Sequence, residues 1–196
     1  LHTLACNFFP GWISRLNSPE APLFTRIDTG YRRTDDYYMA LMSGRCDFIL
    51  FYRDAKTAPY SRQSEFEVKS LGQDELYWVA TPALAAHCAQ TDAPIPLLSY
   101  SRSAQLHELS RTQINRHPQP QRLLQVFEAT VSEALKPMVA SGQGVACMPH
   151  SMVAPLIERQ ELVRLYPDME SDHLEVILVR WRDNRNPQAD AFWQRL

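Results

Sequence analysis

The chain has 196 residues, 45% of them apolar, which is enough for one sizeable core or two small ones. Its 20 basic and 22 acidic side chains leave a formal charge of -2, so this segment offers no whole-chain attraction for phosphate backbones or anionic lipid and is not expected to grip DNA alone. Short apolar runs alternate with stretches of helical periodicity, the pattern of α/β layers.

In chain order, the short run His2 to Ala5 reads as an opening strand, and Phe8, Phe9, Trp12, Ile13 and Leu16 recur at helical spacing, with Pro10 tolerable in a first turn. Asp35 or Asp36 is expected to cap a helix over Tyr37, Tyr38, Leu41 and Met42 that Gly44 closes, and Cys46 to Tyr52 follows as a buried strand, completing a strand-helix-strand unit. A second set begins at Leu76 to Ala80, an apolar run before Thr81-Pro82, where Thr81 caps a helix with Pro82 at its first position. Pro96 to Tyr100 reads as a strand, Ser103 to Asn115 as a helix and Arg122 to Phe127 as a strand. Thr130 or Ser132 caps a helix through Ala134, Leu135, Met138 and Val139 that ends at Gly142, and Gly144 to Met148 is a strand stopped by Pro149. Leu162 to Tyr166 and Leu174 to Trp181 are later strands, and a last helix opened by Pro187 carries Phe192, Trp193 and Leu196. The loops at Arg53 to Ser64 and Pro118 to Gln121 read as exposed.

The cysteines, Cys6, Cys46, Cys88 and Cys147, lack the spacing of a zinc site and fit reduced thiols in a cytoplasmic protein; neither metal nor cofactor is expected. No apolar run approaches the roughly 18 to 20 residues of a membrane span. The start, Leu1-His2-Thr3, has no initiator Met, basic n-region or cleavage site, and the expectation is that an N-terminal portion precedes it. Enzyme motifs are missing: there is no G-x-S-x-G elbow, phosphate-binding loop, H-E-x-x-H or dinucleotide fingerprint, and adjacent Asp35 and Asp36 point apart on a helix.

Three stretches together resemble the LysR-type effector-binding domain: the opening strand with Thr3 before a helix carrying Phe9-Pro10, the turn and strand "SGRCDFIL", and "SEALKPMVASGQGVACMPHSMV". Within that family, "PLLSYSRSAQLHELSRTQINRH" and "RNPQADAFWQRL" look similar to the hypochlorite-responsive regulators. The resemblance covers essentially the whole chain. It implies an α/β fold of two Rossmann-like lobes with a hinge, periplasmic-binding-protein-like (type 2), with residues 1–75 plus 167–196 in one lobe and 76–166 in the other. It further implies an upstream winged helix-turn-helix domain that contacts DNA, a homodimer that becomes a tetramer at full length, and a small effector held between the lobes, which hydroxyls and helix N-termini there would suit to an anion.

In open α/β sheets, ligands lie beyond the carboxyl ends of strands, where helix N-termini offer unpaired N–H groups. Matched by motif, Thr3, Ser99, Tyr100, Ser101, Thr130, Val131 and Ser132 correspond to positions that line the family's effector cleft; Tyr52 at the end of its strand joins them, and Leu4 and Pro149 are further ligand-binding candidates. Asn7 and Arg102 join them as candidates, against a local backbone bond for Asn7 and a surface salt bridge for Arg102; Thr3, Thr130 and Ser132 read equally as plain N-caps. His150 is a further candidate, against a plain polar surface role. Met138, Met148 and Cys6 are candidate oxidation sites, against core packing for the methionines and an inert buried thiol for Cys6. The alternatives from other classes are a solute-binding protein of a transport system and an enzyme built on the same fold.

Overall fold

The computed structural model describes residues 2–17, 22–30, 34–53 and 63–196, so most of the loop expected at Arg53 to Ser64 lies outside the described residues. The chain forms two compact units, Leu1–Gln73 with Leu174–Leu196, and Asp74–His173.

In the first unit a π-helical turn, Leu4–Phe8, runs directly into α1 (Phe9–Leu16). The opening strand expected at His2 to Ala5 therefore does not form, nor does a strand-helix-strand unit built on it. Leu4, Phe8, Trp12 and Leu16 repeat every fourth residue, so the helical period extends further back than the first aromatic. Pro10 has no N–H to give to the carbonyl four residues earlier; the turn widens there, and the Phe9 amide bonds Leu4 O, five residues back. Helix α2 spans Thr34–Met42, with Asp35 and Asp36 inside its first turn instead of capping it, where carboxylates still meet the positive end of the helix. Gly44, at φ 68°, closes it.

Strand β1 (Ile49–Arg53) starts three residues later than the run Cys46 to Tyr52 suggests. Asp47 Oδ1 accepts bonds from Asn184 Nδ2 (3.1 Å) and Asn186 Nδ2 (3.0 Å), which holds this stretch out of the ladder. β1 pairs antiparallel with β7 (His173–Trp181), Ile49 opposite Val179 and Arg53 opposite Glu175. β7 in turn lies beside β2 (Phe66–Ala80), which is longer than its apolar end: before it, half-buried Glu67, Lys69 and Leu71 alternate with exposed Val68 and Ser70. Helix α7 (Pro187–Arg195) opens on Asn186, whose side chain accepts from Gln188 N at 3.0 Å. Trp12, Leu178 and Trp193 form one core, and Tyr37, Leu41, Ile49, Phe51, Phe66, Ile177 and Val179 another.

In the second unit β2 pairs antiparallel on one side with β5 (Ala146–Pro149) and on the other with β6 (Val163–Leu165). β3 (Ile95–Tyr100) pairs in parallel with β4 (Leu123–Ala129), and a parallel bridge from Leu97 to Val145 joins β3 to the start of β5. Between Leu97 and Leu98 the register skips Val126, a bulge in β4. Helix α3 (Pro82–Gln90) is capped as its sequence predicts, Thr81 Oγ1 accepting from Leu84 N. α4 (His107–Arg116) starts four residues later than Ser103, because Ser101 O and Ala104 O first take turn bonds from Ala104 N and His107 N. α5 (Ser132–Ala140) follows β4 after Thr130 and Val131, and α6 (His150–Glu158) follows β5 directly. Leu76, Ile95, Leu98, Leu135, Met148 and Met152 fill this unit's core.

Candidate functional site

Within the second unit, β5, β3 and β4 run in the same direction, so Pro149, Tyr100 and Ala129 end neighbouring strands on one side of the sheet. α6 begins right after Pro149, a turn follows Tyr100, and α5 begins three residues after Ala129. Helix N-termini carry unpaired amides and partial positive charge, so this side favours anions. The Ser101 amide donates to Ala129 O (2.9 Å) and fixes the spacing of the two strand ends.

The tyrosine at this edge is structural. The Tyr100 hydroxyl lies 2.7 Å from that of Ser132, both buried, and burial pushes the phenol far above its ordinary range while the Ser132 bond opposes the shift. His107 Nδ1–H donates to the Tyr100 carbonyl at 2.9 Å, and Ser99 Oγ donates to Phe127 O. Ser101 is half-buried, its hydroxyl 3.3 Å from that of Ser103, while Arg102 and Thr130 are exposed. Arg102 has no ion pair among the described residues, so the surface salt bridge weighed for it is not formed there.

The two helix starts differ. The N-cap of α5 is Val131, not Thr130 or Ser132, and no side chain caps it; Glu133 is the acidic residue of its first turn. The N-cap of α6, Pro149, cannot cap either, but Asp74 reaches across from β2, accepting from Ser151 N (3.0 Å) and Ser151 Oγ (2.6 Å). A buried carboxylate thus bonds the end amide of α6 directly, whereas α5 carries Glu133 in its first turn but has no side chain bonded at its cap. Sequence reading missed Asp74 because its partner lies 77 residues away. His150, just beyond, is exposed with its ring 4.7 Å from that of Tyr77.

Thr3, Leu4, Asn7 and Tyr52 belong to the first unit. Thr3 is buried and helical, at φ -56° and ψ -47°, and so does not stand at a strand's carboxyl end. Asn7 Nδ2 donates to Thr3 O at 2.9 Å, the local bond weighed as its alternative. Leu4 is wholly buried, and Tyr52, also buried, sits opposite Val176 in the β1–β7 ladder.

Of the oxidation candidates, Met148 has no exposed surface and Met138 is half-buried. Cys6 is exposed, contrary to the inert buried thiol weighed for it, with Sγ 3.7 Å from His2 Nε2. Burial raises the Cys46 thiol to about 11, and raises Cys88 and Cys147 as well.

A pocket of about 280 Å³ opens elsewhere in the second unit, lined by Cys88, Thr91, Gln119, Arg122, Leu165 and Tyr166, none of them among the expected site residues. Arg122 is spent there on structure: it donates to Cys88 O, Thr91 O and Ala93 O at the end of α3 and to Gln119 Oε1.

Three parallel strands of this α/β unit thus end side by side, with Asp74 closing the start of α6 and no side chain capping the start of α5. The family model for the LysR substrate binding domain matches residues 1–196, and the chain belongs to that family of transcription regulators. Its fold is accordingly the periplasmic-binding-protein-like, type 2 fold. The chain is similar to the HTH-type transcriptional regulator YjiE of Escherichia coli (strain K12), 27% identical over 208 residues, covering all of this chain and 62% of the relative. In fold it is similar to the LysR family transcriptional regulator VV2_1132 (TM-score 0.82, 24% identity, 100% of this chain and 66% of that one). It is likewise similar to full-length HypT of Salmonella typhimurium, described as a hypochlorite-specific LysR-type transcriptional regulator (TM-score 0.74, 21% identity, 99% and 64%). The chain thus spans about two thirds of the length of these proteins. No helix among the described residues is long and apolar enough to cross a membrane.

Proposed function

We propose that this domain senses a small anion at the carboxyl ends of β3 and β4, and that it binds without catalysing a reaction. The observation that carries the reading is the contrast between the two helix starts: α6 is closed by Asp74, whereas α5 has no capping side chain and is flanked by Ser101 and Thr130. The two units serve as the regulatory lobes. In the whole protein, an upstream winged helix-turn-helix domain would contact DNA, in the cytoplasm, as the family's architecture implies. A thermal-shift screen of the 196-residue chain against small carboxylates, inorganic anions and neutral small molecules tests this: at least one anion should raise the midpoint saturably, and a screen in which only neutral molecules bind would overturn it.

Dimerisation belongs to the same proposal. On α1, Trp12 is 7% exposed and packs in the core, leaving Leu16 half-exposed. β4 instead exposes Leu124 (55%) and Val126 (51%), next to the half-exposed face of α5. Replacing both with Glu is expected to turn a dimer into a monomer at tens of micromolar in sedimentation, since a charge placed in an apolar contact loses its hydration. An unchanged sedimentation coefficient would move the interface off β4.

The oxidant reading also stays a proposal, supported by the described specificity of HypT. Accessibility orders the methionines: Met39, 53% exposed, should oxidise first under graded hypochlorite, Met138, Met169 and Met42 next, and the buried Met148 and Met152 last. Peptide mass spectrometry reads the order. For oxidation to act as the signal, transcription must change with the Met138 fraction, as α5 is the helix that would meet the ligand; a response that follows Met39 alone would contradict this.

A further inference from the structure

Three buried polar atoms in the second unit have no hydrogen-bond partner among the described residues: Trp78 Nε1, His117 Nε2 and Gln113 Oε1. Their residues are 2%, 3% and 1% exposed, and native interiors rarely leave such groups unpaired. The three belong to one cluster. The Trp78 ring on β2 meets that of His117 edge-on, with centroids 5.0 Å apart, and Gln113 lies in the last turn of α4, four residues before His117, the C-cap of that helix.

The protons of this cluster are fixed by its other bonds. His117 Nδ1 accepts from the Gln119 amide at 3.1 Å, and burial lowers the ring's pKa, so the imidazole is neutral and carries its hydrogen on Nε2. Gln113 Nε2 donates to Glu170 O (3.2 Å) and Asp172 Oδ2 (2.9 Å), which rules out the flipped amide and leaves Oε1 as an acceptor. The cluster therefore offers two N–H donors and one carbonyl acceptor. An anion would satisfy the donors and be repelled by the Gln113 oxygen, and a cation would meet two N–H groups. A hydroxyl oxygen accepts two hydrogen bonds while its hydrogen is given to the third partner.

A second observation points to the same place. The Tyr166 ring packs edge-on against His117, centroids 4.7 Å apart, and the same residue lines the 280 Å³ pocket. Tyr166 holds φ at 50°, the left-handed region that a non-glycine residue occupies at a cost, and strained residues of this kind gather at ligand clamps. Tyr166 is thus a wall shared by the pocket and the buried cluster.

We propose that Trp78, His117 and Gln113 form an internal binding site for one hydroxyl group, carried by a water molecule or by a small neutral alcohol admitted past Tyr166 from the pocket. The inference is independent of the anion reading, because it uses none of the residues at the ends of β3 and β4. It has a consequence for the chain path. The Gln113 amide also holds Glu170 and Asp172, just before the chain leaves the second unit at His173, so the occupant steadies the side chain that pins this crossing.

Nuclear magnetic resonance on the whole ¹⁵N-labelled chain tests the proposal and separates the two sources. In plain buffer, the indole proton of Trp78 and the Nε2 proton of His117 should both show cross-peaks to one long-lived water. With ethylene glycol added, displacement of those cross-peaks by peaks to its methylene protons assigns the site to alcohols as well; persistence of the water cross-peaks assigns it to water alone. Either result supports the site. No cross-peak from either N–H in either sample overturns it. In Trp78→Phe, judged folded from its remaining amide spectrum, the His117 cross-peak should fall severalfold, and an unchanged one would also count against the site. Should that variant not fold, the wild-type cross-peaks decide.

Discussion

Replacing Gly144 with alanine is expected to lower the thermal midpoint of the second unit by roughly 6 to 12 °C, from a cost of about 3 kcal/mol spread over a chain of this size. The reason is a close approach between strands. A Cβ at this position would lie 2.7 Å from Pro96 O and 2.9 Å from Leu98 Cγ. The backbone oxygen cannot swing away, since it already accepts from Val145 N at 2.8 Å, part of the only bridge described between β5 and β3. The chain must then open the join that sets the strand ends of the candidate site side by side. Gly11 is the control: nothing lies within 4 Å of a Cβ there and the residue is helical, so Gly11→Ala should be neutral or slightly stabilising. Differential scanning calorimetry on both variants checks the pair; equal midpoints would mean that the β5–β3 join is loose.

The second large effect is on binding. Thr130→Leu and Ser101→Val should each weaken a bound anion at least tenfold, about 1.4 kcal/mol, while leaving the midpoint of the free domain nearly unchanged. Thr130 is exposed and Ser101 half-buried, and neither hydroxyl takes part in the core, so little stability rides on them. Tyr100→Phe should behave in the opposite way. It leaves the buried Ser132 hydroxyl without its 2.7 Å partner, at a cost of about 1 to 3 kcal/mol to folding, with a smaller effect on affinity. Titration calorimetry beside thermal melts separates the two patterns. Affinity intact in both Thr130→Leu and Ser101→Val would remove this edge as the binding site.

Much of this fold is legible from local chemistry. Thr81-Pro82 and Asn186-Pro187 mark helix starts because cap and proline act within three residues of each other, and Gly142, at φ 75°, marks an end for the same kind of reason. The failures come where a partner far away in sequence decides. Cys46 to Phe48 looks like strand, yet asparagines some 137 residues on hold Asp47 in a loop. The first residues look like strand by apolarity alone, and the four-residue repeat from Leu4 to Leu16 outweighs that signal. At the site, the hydroxyl-bearing turns could be listed from the sequence, whereas which helix start remains open could not. Val131 and Pro149 are equally poor caps, and only the Asp74 carboxylate, supplied from β2, distinguishes them. The Trp78, His117 and Gln113 cluster left no sequence signal either, because each residue taken singly is an ordinary core aromatic or helix-end polar group.

The most direct test of the anion site is amide chemical-shift mapping of the ¹⁵N-labelled chain titrated with succinate, inorganic phosphate and chloride in turn. The expected result is a saturable response to at least one of them, with the largest shifts at Ser101, Arg102 and the amides from Thr130 to Glu133, and little change at Ser151, whose amide Asp74 already holds at 3.0 Å. Shifts concentrated at the start of α6 or around the pocket beside Arg122, with the Thr130 to Glu133 amides unmoved, would contradict it.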